Sequence, residues 1–364
     1  MRVDQIECTA GKTDVPDDRT ARFDIVHSDA LRLYPELVHE LGGDPEALLA
    51  DAHIDAAAAQ KGISVLKYRD FVHLLEVTAE RLAVPDFGLQ LAERQRGGKV
   101  IGPVGVVMKN SKTVGQALGY CAKHIHAYSL ATRVRYKPDR AKHILFLGLE
   151  ILLDNVADTR QVIEHALSLA NLNVIEITQG AARARRVHFR HRPQMPIKDY
   201  RAYFGCDVLF GQEMDGIVLT ETDLLCEIVD PDEQVYEMAT SFIEARYPEK
   251  VPPIHARVRG LILRYLGSED CTNDRVASEM CMHPRTLQRR LRAEGKSFEE
   301  IKDGIRREVA LRYLQQPEMS LTRVAEKLGY AETSVLSRSC HRWFEASPLQ
   351  LRRRSAHEAL AAGK

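Results

Sequence analysis

No CxxC pair occurs in the sequence, and its seven cysteines (Cys8, Cys121, Cys206, Cys226, Cys271, Cys281 and Cys340) are scattered and odd in number. That excludes a disulfide-stapled scaffold and fits reduced thiols in the cytosol. Cys281 and His283, like Cys340 and His341, stand too close together for zinc-ligand spacing. The opening stretch MRVDQIECTAGKTDVPDDRT has no apolar core, so no secretory signal is expected. The most apolar run, HILFLGLEILL, is too short to span a bilayer and carries Glu150. No P-loop, GxGxxG, HExxH or GxSxG is present, so the common nucleotide-binding and hydrolase signatures are missing. His124 and His126 lie two apart on an expected helix and point in different directions, a poor metal pair. His188 and His191 flank a strand end and read as surface or core histidines. No cofactor and no metal are expected, and an enzyme is not expected.

Net charge is also missing: 51 Lys and Arg balance 51 Asp and Glu. The total hides two opposed parts. From Ile254 to Lys364 there are 21 Lys and Arg against 14 Asp and Glu, a surplus of seven, and the preceding residues carry the matching deficit. A basic end on an acidic body points to a polyanion partner. The 364 residues exceed one hydrophobic core, and 45% hydrophobic with 28% charged residues is ordinary globular composition.

Residues 1–20 are polar and read as a loose tail. Asp44-Pro45-Glu46 reads as N-cap, first position and acidic first turn of a helix. Tyr68–Leu82 carries a helical apolar face. A flexible turn is expected through Gly97, Gly98, Gly102, Pro103 and Gly105, and a helix from Val114. The period then changes. Val134/Tyr136 and Ile144–Leu149 read as strands around a turn at Pro138-Asp139. Val162–Ala170 reads as helix, Val187/Phe189 as strand, Tyr200–Phe204 as a short helix ended by Gly205, and Val208–Phe210 and Ile217–Leu219 as strands. This is an α+β unit, one sheet flanked by helices. Asp230-Pro231 starts another helix whose face of Val235, Met238, Ala239, Phe242 and Ile243 needs a partner, either its own domain or a dimer mate. Three prolines in Tyr247–Pro253 then make a semi-rigid linker, expected at 248–253.

Beyond the linker every period is helical, and a pattern repeats. Thr272–Met280, Cys281–Pro284 and Arg285–Leu291 are matched by Ser320–Leu328, Gly329–Glu332 and Thr333–Arg338. Arg-Val-Ala recurs after 48 residues and Leu-x-Arg after 49, so the second turn is one residue longer. Each copy has helix-turn-helix physics. Thr272 or Ser320 caps the first helix, small Ala277 or Ala325 allows a close crossing, and Gly329 suits a turn with positive φ. The second helix buries Leu287 or Leu336. It presents Arg285, Thr286, Gln288, Arg289 and Arg292, or Thr333, Ser334, Ser337, Arg338 and Arg342. Arg pairs with guanine O6/N7 and Gln with adenine N6/N7, so these residue types read the major groove. Of the basic residues, Arg290, Arg292, Arg342 and Arg352–Arg354 are expected on phosphates.

VAEKLGYAETSVLSRSCHRWFEASPLQLR resembles the second helix-turn-helix of AraC/XylS-type transcription regulators, through Ala325, Leu328, Gly329, Tyr330, Ser334, Arg338, Ser347, Pro348 and Arg352. MHPRTLQRRLRAEGKSFEEIKDGIRREVALRYL is similar to that family's first motif and connecting helix. Leu336 and Cys340 stand where the family usually has Phe, and Glu345 where it usually has Gly. Upstream, LGGDPEALLADAHID, FVHLLEVTAERLAVPDFGLQLAERQ, GPVGVVMKNSKTVGQAL and VHFRHRPQMPIKDYRAYFGCDVLFG resemble the arabinose-binding-like sensor domain of one branch, which includes regulators of amino-acid catabolism and virulence. The two resemblances cover about 20–353.

They imply a sensor and dimerisation domain over 21–247 and an all-α DNA-binding domain with two helix-turn-helix motifs over 254–355. The implied partners are double-stranded DNA, RNA polymerase, a small-molecule effector and a second copy of the chain, in the cytoplasm and without a membrane. Two alternatives stay open: a regulator without an effector whose N-terminal domain only dimerises, and, more remotely, an enzyme localised on DNA. An apolar pocket with one or two polar groups inside the N-terminal domain would favour the sensor.

Overall fold

The computed structural model describes residues 23–55, 65–96, 98–154, 156, 158–248, 252–316 and 318–354. The tail expected at 1–20, Gly97, residues 249–251 of the expected linker, Pro317 and the end of the expected DNA-binding unit at 355 lie outside them. Among the described residues two large hydrophobic cores form, one from Val26 to Ile243 and one from Val258 to Leu351, with a small satellite cluster of Ala92, Val100, Leu169 and Leu172.

The N-terminal domain begins with the short pair β1 (Val26–His27) and β2 (Val65–Leu66) and helices α1 (Tyr34–Glu40), α2 (Pro45–Asp51), α3 (Tyr68–Arg81), α4 (Phe87–Arg94), α5 (Pro103–Lys109) and α6 (Val114–His124). Asp44 caps α2 as expected, accepting from the backbone of Glu46 and Ala47. Thr113 caps α6 by accepting from Gln116 N. Then come β3 (Thr132–Asp139), β4 (Ile144–Ile151), α7 (Arg160–Ile177), β5 (Arg186–His188), α8 (Ile197–Phe204), β6 (Asp207–Leu209), β7 (Asp215–Thr220), α9 (Glu221–Leu225) and α10 (Glu233–Arg246). The five-stranded sheet runs β3-β4-β7-β5-β6. Its pairs are antiparallel except β5–β6.

Three expectations shift. Pro138 and Asp139 lie inside β3, paired with Leu145 and Ile144, and the turn follows them. β3 is an edge strand, where a residue without an N–H is tolerated. The glycine-rich turn is shorter than expected, because Pro103 starts α5 within it. The helix expected at Asp230-Pro231 starts at Glu233, because Asp232 accepts from the N–H groups of Gln234 and Val235 at 2.8 and 3.0 Å. On α10, Ile243 is fully buried, whereas Met238 is 73% and Phe242 50% exposed and Val235 lies at the surface.

Helix α7 is the spine of this domain; several of its buried polar groups are matched, while Glu164 Oε2 and Asn173 Oδ1 have no hydrogen-bond partner among the described residues. Gln161 accepts from Gly88 N and donates to the Pro85 carbonyl, both at 2.7 Å. Asn171 accepts from Ala184 N at 2.8 Å and donates to the Phe204 carbonyl. Tyr200 donates to Glu164 at 2.8 Å. Burial pushes the Glu164 carboxyl up to about 8, and burial with Asp158 nearby pushes Glu76 to about 7. Burial takes the His165 imidazole down to about 3.

The linkage signs follow. A raised carboxyl supports the fold below its unfolded value and loses that support as pH rises through its folded value. The depressed His165 does the reverse, losing support as pH falls from about 6.5. Between pH 6.5 and 8 the carboxyls act alone. Thermal stability is expected to decline across that window, by on the order of 2 kcal/mol. Glu164→Gln, which keeps an acceptor for Tyr200, is expected to flatten the decline. Melting curves from pH 6 to 8.5 check this, and an unchanged slope in the variant contradicts it.

The C-terminal domain is helical throughout: α11 (Ile254–Tyr265), α12 (Asn273–Glu279), α13 (Pro284–Ala293), α14 (Phe298–Leu314), α15 (Leu321–Lys327) and α16 (Thr333–Phe344), with residues 348–354 again helical. Gly267 has φ 85° after α11, and a Cβ there would come within 2.8 Å of the Lys327 carbonyl. Only glycine lets α11 end against the tip of α15.

Candidate nucleic-acid interface

Two local signals build each motif. The Thr272 hydroxyl accepts from Arg275 N at 3.2 Å and opens α12, and the Ser320 hydroxyl accepts from Arg323 N at 3.1 Å and opens α15. Val276, Ala277, Val324 and Ala325 are buried where the paired helices cross. Gly329 takes φ 70° in the second turn. Its counterpart 48 residues earlier, Cys281, takes φ 53° without being glycine. In the first motif Pro284 occupies the first turn of α13, and the His283 Nδ1 accepts from Arg285 N at 3.3 Å.

The second helices are anchored by Leu287, Leu291, Leu336 and Cys340, all essentially inaccessible. Burial pushes the Cys340 thiol up to about 11, so it behaves as a small apolar residue. On α13 the exposed residues Arg285, Gln288, Arg289 and Arg292 recur at helical spacing and share one face, with Thr286 half-buried beside them. On α16 Thr333, Ser334 and Arg338 are exposed and Ser337 is half-buried. Among the described residues, Arg285, Arg289, Arg292 and Arg338 form no ion pair with an acidic side chain. Their charge is available to an outside anion.

Not every expected cation is equally available. Arg342 is exposed but pairs with Asp303 at 2.5 Å. Arg352 is half-buried and donates to the Met319 carbonyl. Ser334 donates to Glu332 at 2.8 Å, and Arg290 leans on Met282.

Sequence reasoning missed the clasp that fixes the second motif against the connecting helix. Arg306, on the connecting helix α14, donates to the Leu328 and Gly329 carbonyls at 2.8 and 3.2 Å. Asp303, on the same helix, accepts from Trp343 Nε1 at 2.9 Å as well as from Arg342. In the sequence these are two of many charged residues on an amphipathic helix. Only their three-residue spacing, which puts both on one face, hinted at a shared task.

Two positions carry backbone strain. Cys281 and Glu345 sit at φ 53° in the left-handed region, which costs a non-glycine residue roughly 1–2 kcal/mol. Glu345 nevertheless closes α16 with its N–H on the His341 carbonyl at 3.0 Å, so the turn before Ser347 forms despite the missing glycine. Glu345→Gly is expected to stabilise the C-terminal domain by about 1 kcal/mol, and Cys281→Gly by a little less. Chemical unfolding of each variant checks this. A loss of stability in both contradicts the strain argument.

Two motifs of this kind, coupled by one long helix and carried behind an α/β domain, define a DNA-binding regulator of transcription. The comparisons agree. Residues 42–228 match the family described as the arabinose-binding domain of AraC transcription regulators, and residues 276–354 match a helix-turn-helix domain family. The chain belongs to the AraC-type transcription regulators.

Among its relatives is the HTH-type transcriptional regulator VirS of Mycobacterium tuberculosis, 35% identical over 88% of this chain and 94% of that protein. The ornithine utilization regulator of Pseudomonas aeruginosa is 23% identical over 87% of this chain and 93% of that protein. The crystal structure of the transcriptional regulator CdpR from Pseudomonas aeruginosa aligns with a TM-score of 0.39 at 19% identity, covering 85% of this chain and 96% of that one. Among the described residues, no helix is long and apolar enough to cross a membrane.

Proposed function

We propose that the chain reads an operator through α13 and α16, placed in successive major-groove faces about 34 Å apart on one side of the duplex. The observation that carries this is the set of exposed arginines without acidic partners, Arg285, Arg289, Arg292 and Arg338, on the duplicated second helices. Arg285 and Gln288, with Thr286, read bases in one groove. Thr333, Ser334, Ser337 and Arg338 read the other. Arg289, Arg290 and Arg292 grip phosphates, and Arg342 does so by exchanging Asp303 for a phosphate oxygen. We take 21–247 as the sensor and dimerisation unit, 248–253 as linker and 254–355 as the DNA-binding unit.

The test is a selection by the full chain from a random duplex pool at low ionic strength. Enrichment of a two-part site supports the reading, and no preference for any duplex sinks it. On the recovered site Arg289→Ala is expected to weaken binding evenly across sequences. It should also reduce the slope of log K against log salt by about one.

Control by a small molecule is supported by an apolar cavity of about 110 Å³ in the N-terminal domain. It is walled by α6, α7 and strands β3 and β4, with His165 at its edge and an Asn173 side-chain oxygen that has no hydrogen-bond partner. A few polar side chains around an apolar hollow favour a sensor over a sealed dimeriser. Self-association is supported by α10, whose Val235, Met238 and Phe242 form an exposed stripe at helical spacing. The remaining parts of the reading are a cytoplasmic, non-catalytic regulator that acts beside RNA polymerase.

A further inference from the structure

From His283 to Ala293 the cap and the length of α13 hold no acidic residue, whereas α16 is preceded by Glu332, the one acidic residue from there to Phe344. A carboxylate brought up to DNA is repelled by the phosphates, so one at the tip of a reading helix carries a cost that something must offset.

The usual offset is capping, and the Glu332 side chain does not cap. Asp44 and Asp232 stand at the same position before α2 and α10, and their carboxylates accept from the first backbone N–H groups. Glu332 makes no such side-chain bond to α16. It is exposed, and among the described residues no cationic side chain pairs with it. Its Oε2 accepts instead from the Ser334 hydroxyl at 2.8 Å. That bond holds the carboxylate beside Ser334, which shares a face of α16 with the half-buried Ser337 and the exposed Arg338.

The same bond decides what the two side chains can offer a third group. A serine hydroxyl has one proton to donate, and here it points at Glu332. Both side chains therefore present only lone pairs, and together they are a pure acceptor. The tip of α13 differs, because Arg285 only donates and Gln288 both donates and accepts.

We propose that Glu332 reads a cytosine, its carboxylate accepting from the groove-facing N4 hydrogen, with Ser334 as the positioning residue. Guanine and thymine offer this pair only acceptors in the major groove. Adenine sets its N6 donor beside the N7 acceptor, which repels a carboxylate. Cytosine offers N4–H with no acceptor of its own beside it. The inference rests on the operator reading above and adds a residue and a base to it. The two parts of the operator then differ in kind: α13 selects base acceptors, and α16 begins on a base donor.

The test uses the full chain and the selected duplex with single-base variants at every position. Gln288→Ala marks the part of the site read by α13. In the other part, one position is expected to prefer cytosine over each other base by about tenfold. N4-methylcytosine there, which replaces the groove-facing hydrogen and keeps the base pair, should cost about fivefold or more. This arm probes the contact on the parent chain, whatever the variants do. Glu332→Gln should cut the cytosine preference about fivefold and raise adenine, because an amide matches adenine N6 and N7. Ser334→Ala should cut the same preference about threefold by releasing the carboxylate. Glu326→Gln removes an equal charge from α15, where it pairs with Arg323, and is the control that should keep the base ranking. Chemical unfolding establishes that each variant folds. The proposal is overturned if no position in that part prefers cytosine, if N4-methylcytosine binds like cytosine, or if Glu332→Gln changes binding to all sequences alike, as lost repulsion would. If a two-part site is recovered and its ranking ignores Glu332, this inference alone fails. If no duplex is selected, the operator reading fails and this inference falls with it.

Discussion

Arg285→Ala and Gln288→Ala are each expected to weaken binding to the selected duplex by about 1–3 kcal/mol, while binding to random duplex changes little. The reasoning starts from the backbone. Pro284 and the His283 cap fix the first turn of α13, and the buried Leu287 and Leu291 fix its rotation. Arg285 and Gln288 are then three residues apart on the exposed side, near the helix N-terminus that enters a groove. Neither bonds through its side chain to another described residue in a way that would have to be broken first. Truncating either one removes hydrogen bonds made only to the right base edge, so the loss appears as relaxed specificity. Competition assays with the selected site and with single-base variants measure it. Equal losses on selected and random DNA would assign both residues to phosphate contact instead.

The second large effect is expected from Leu336→Ala. Leu336 is fully buried beneath α16, and trimming a leucine at such a position costs about 2–5 kcal/mol. The cost falls on one motif. Leu287, its counterpart, sits under α13 in the same core but in the other motif. Leu336→Ala should therefore shrink a nuclease footprint to the part of the site read by α13. Leu287→Ala should shrink it to the other part. A uniform fading of the whole footprint in both variants would mean that the two motifs stand or fall together.

Much of this architecture was legible because local and global signals agree. The caps Thr272 and Ser320, the buried alanines, the positive φ of Gly329 and the apolar face of α14 are all short-range features, and each formed where the sequence placed it. The strands of the N-terminal sheet were found for the same reason. Their errors came from competition between neighbours. Asp232 captured the cap that Asp230 was expected to provide. Pro138 stayed in a strand because its edge position removed the penalty.

What the sequence hid was long-range. Nothing in the chain around Gln161 announces a bond to Gly88, and nothing around Arg306 announces the carbonyls of Leu328 and Gly329. The candidate interface residues were proposed from type and spacing, and the structure places most of them on exposed faces. Which of them were already engaged by partners, as Arg342 and Arg352 are, required the structure.

The ion pair from Lys327 to Glu213 ties the last turn of α15 to the N-terminal domain. No such tie from α12 or α13 to that domain is present among the described residues. Glu213 is largely solvated, so the tie is a weak latch, about 1 kcal/mol or less and screened by salt. The two readers are therefore unequal. On the proposed two-part operator, the latch has to be released before α16 docks, and the ion pairs place no such step on α13, which gives recognition an order of events.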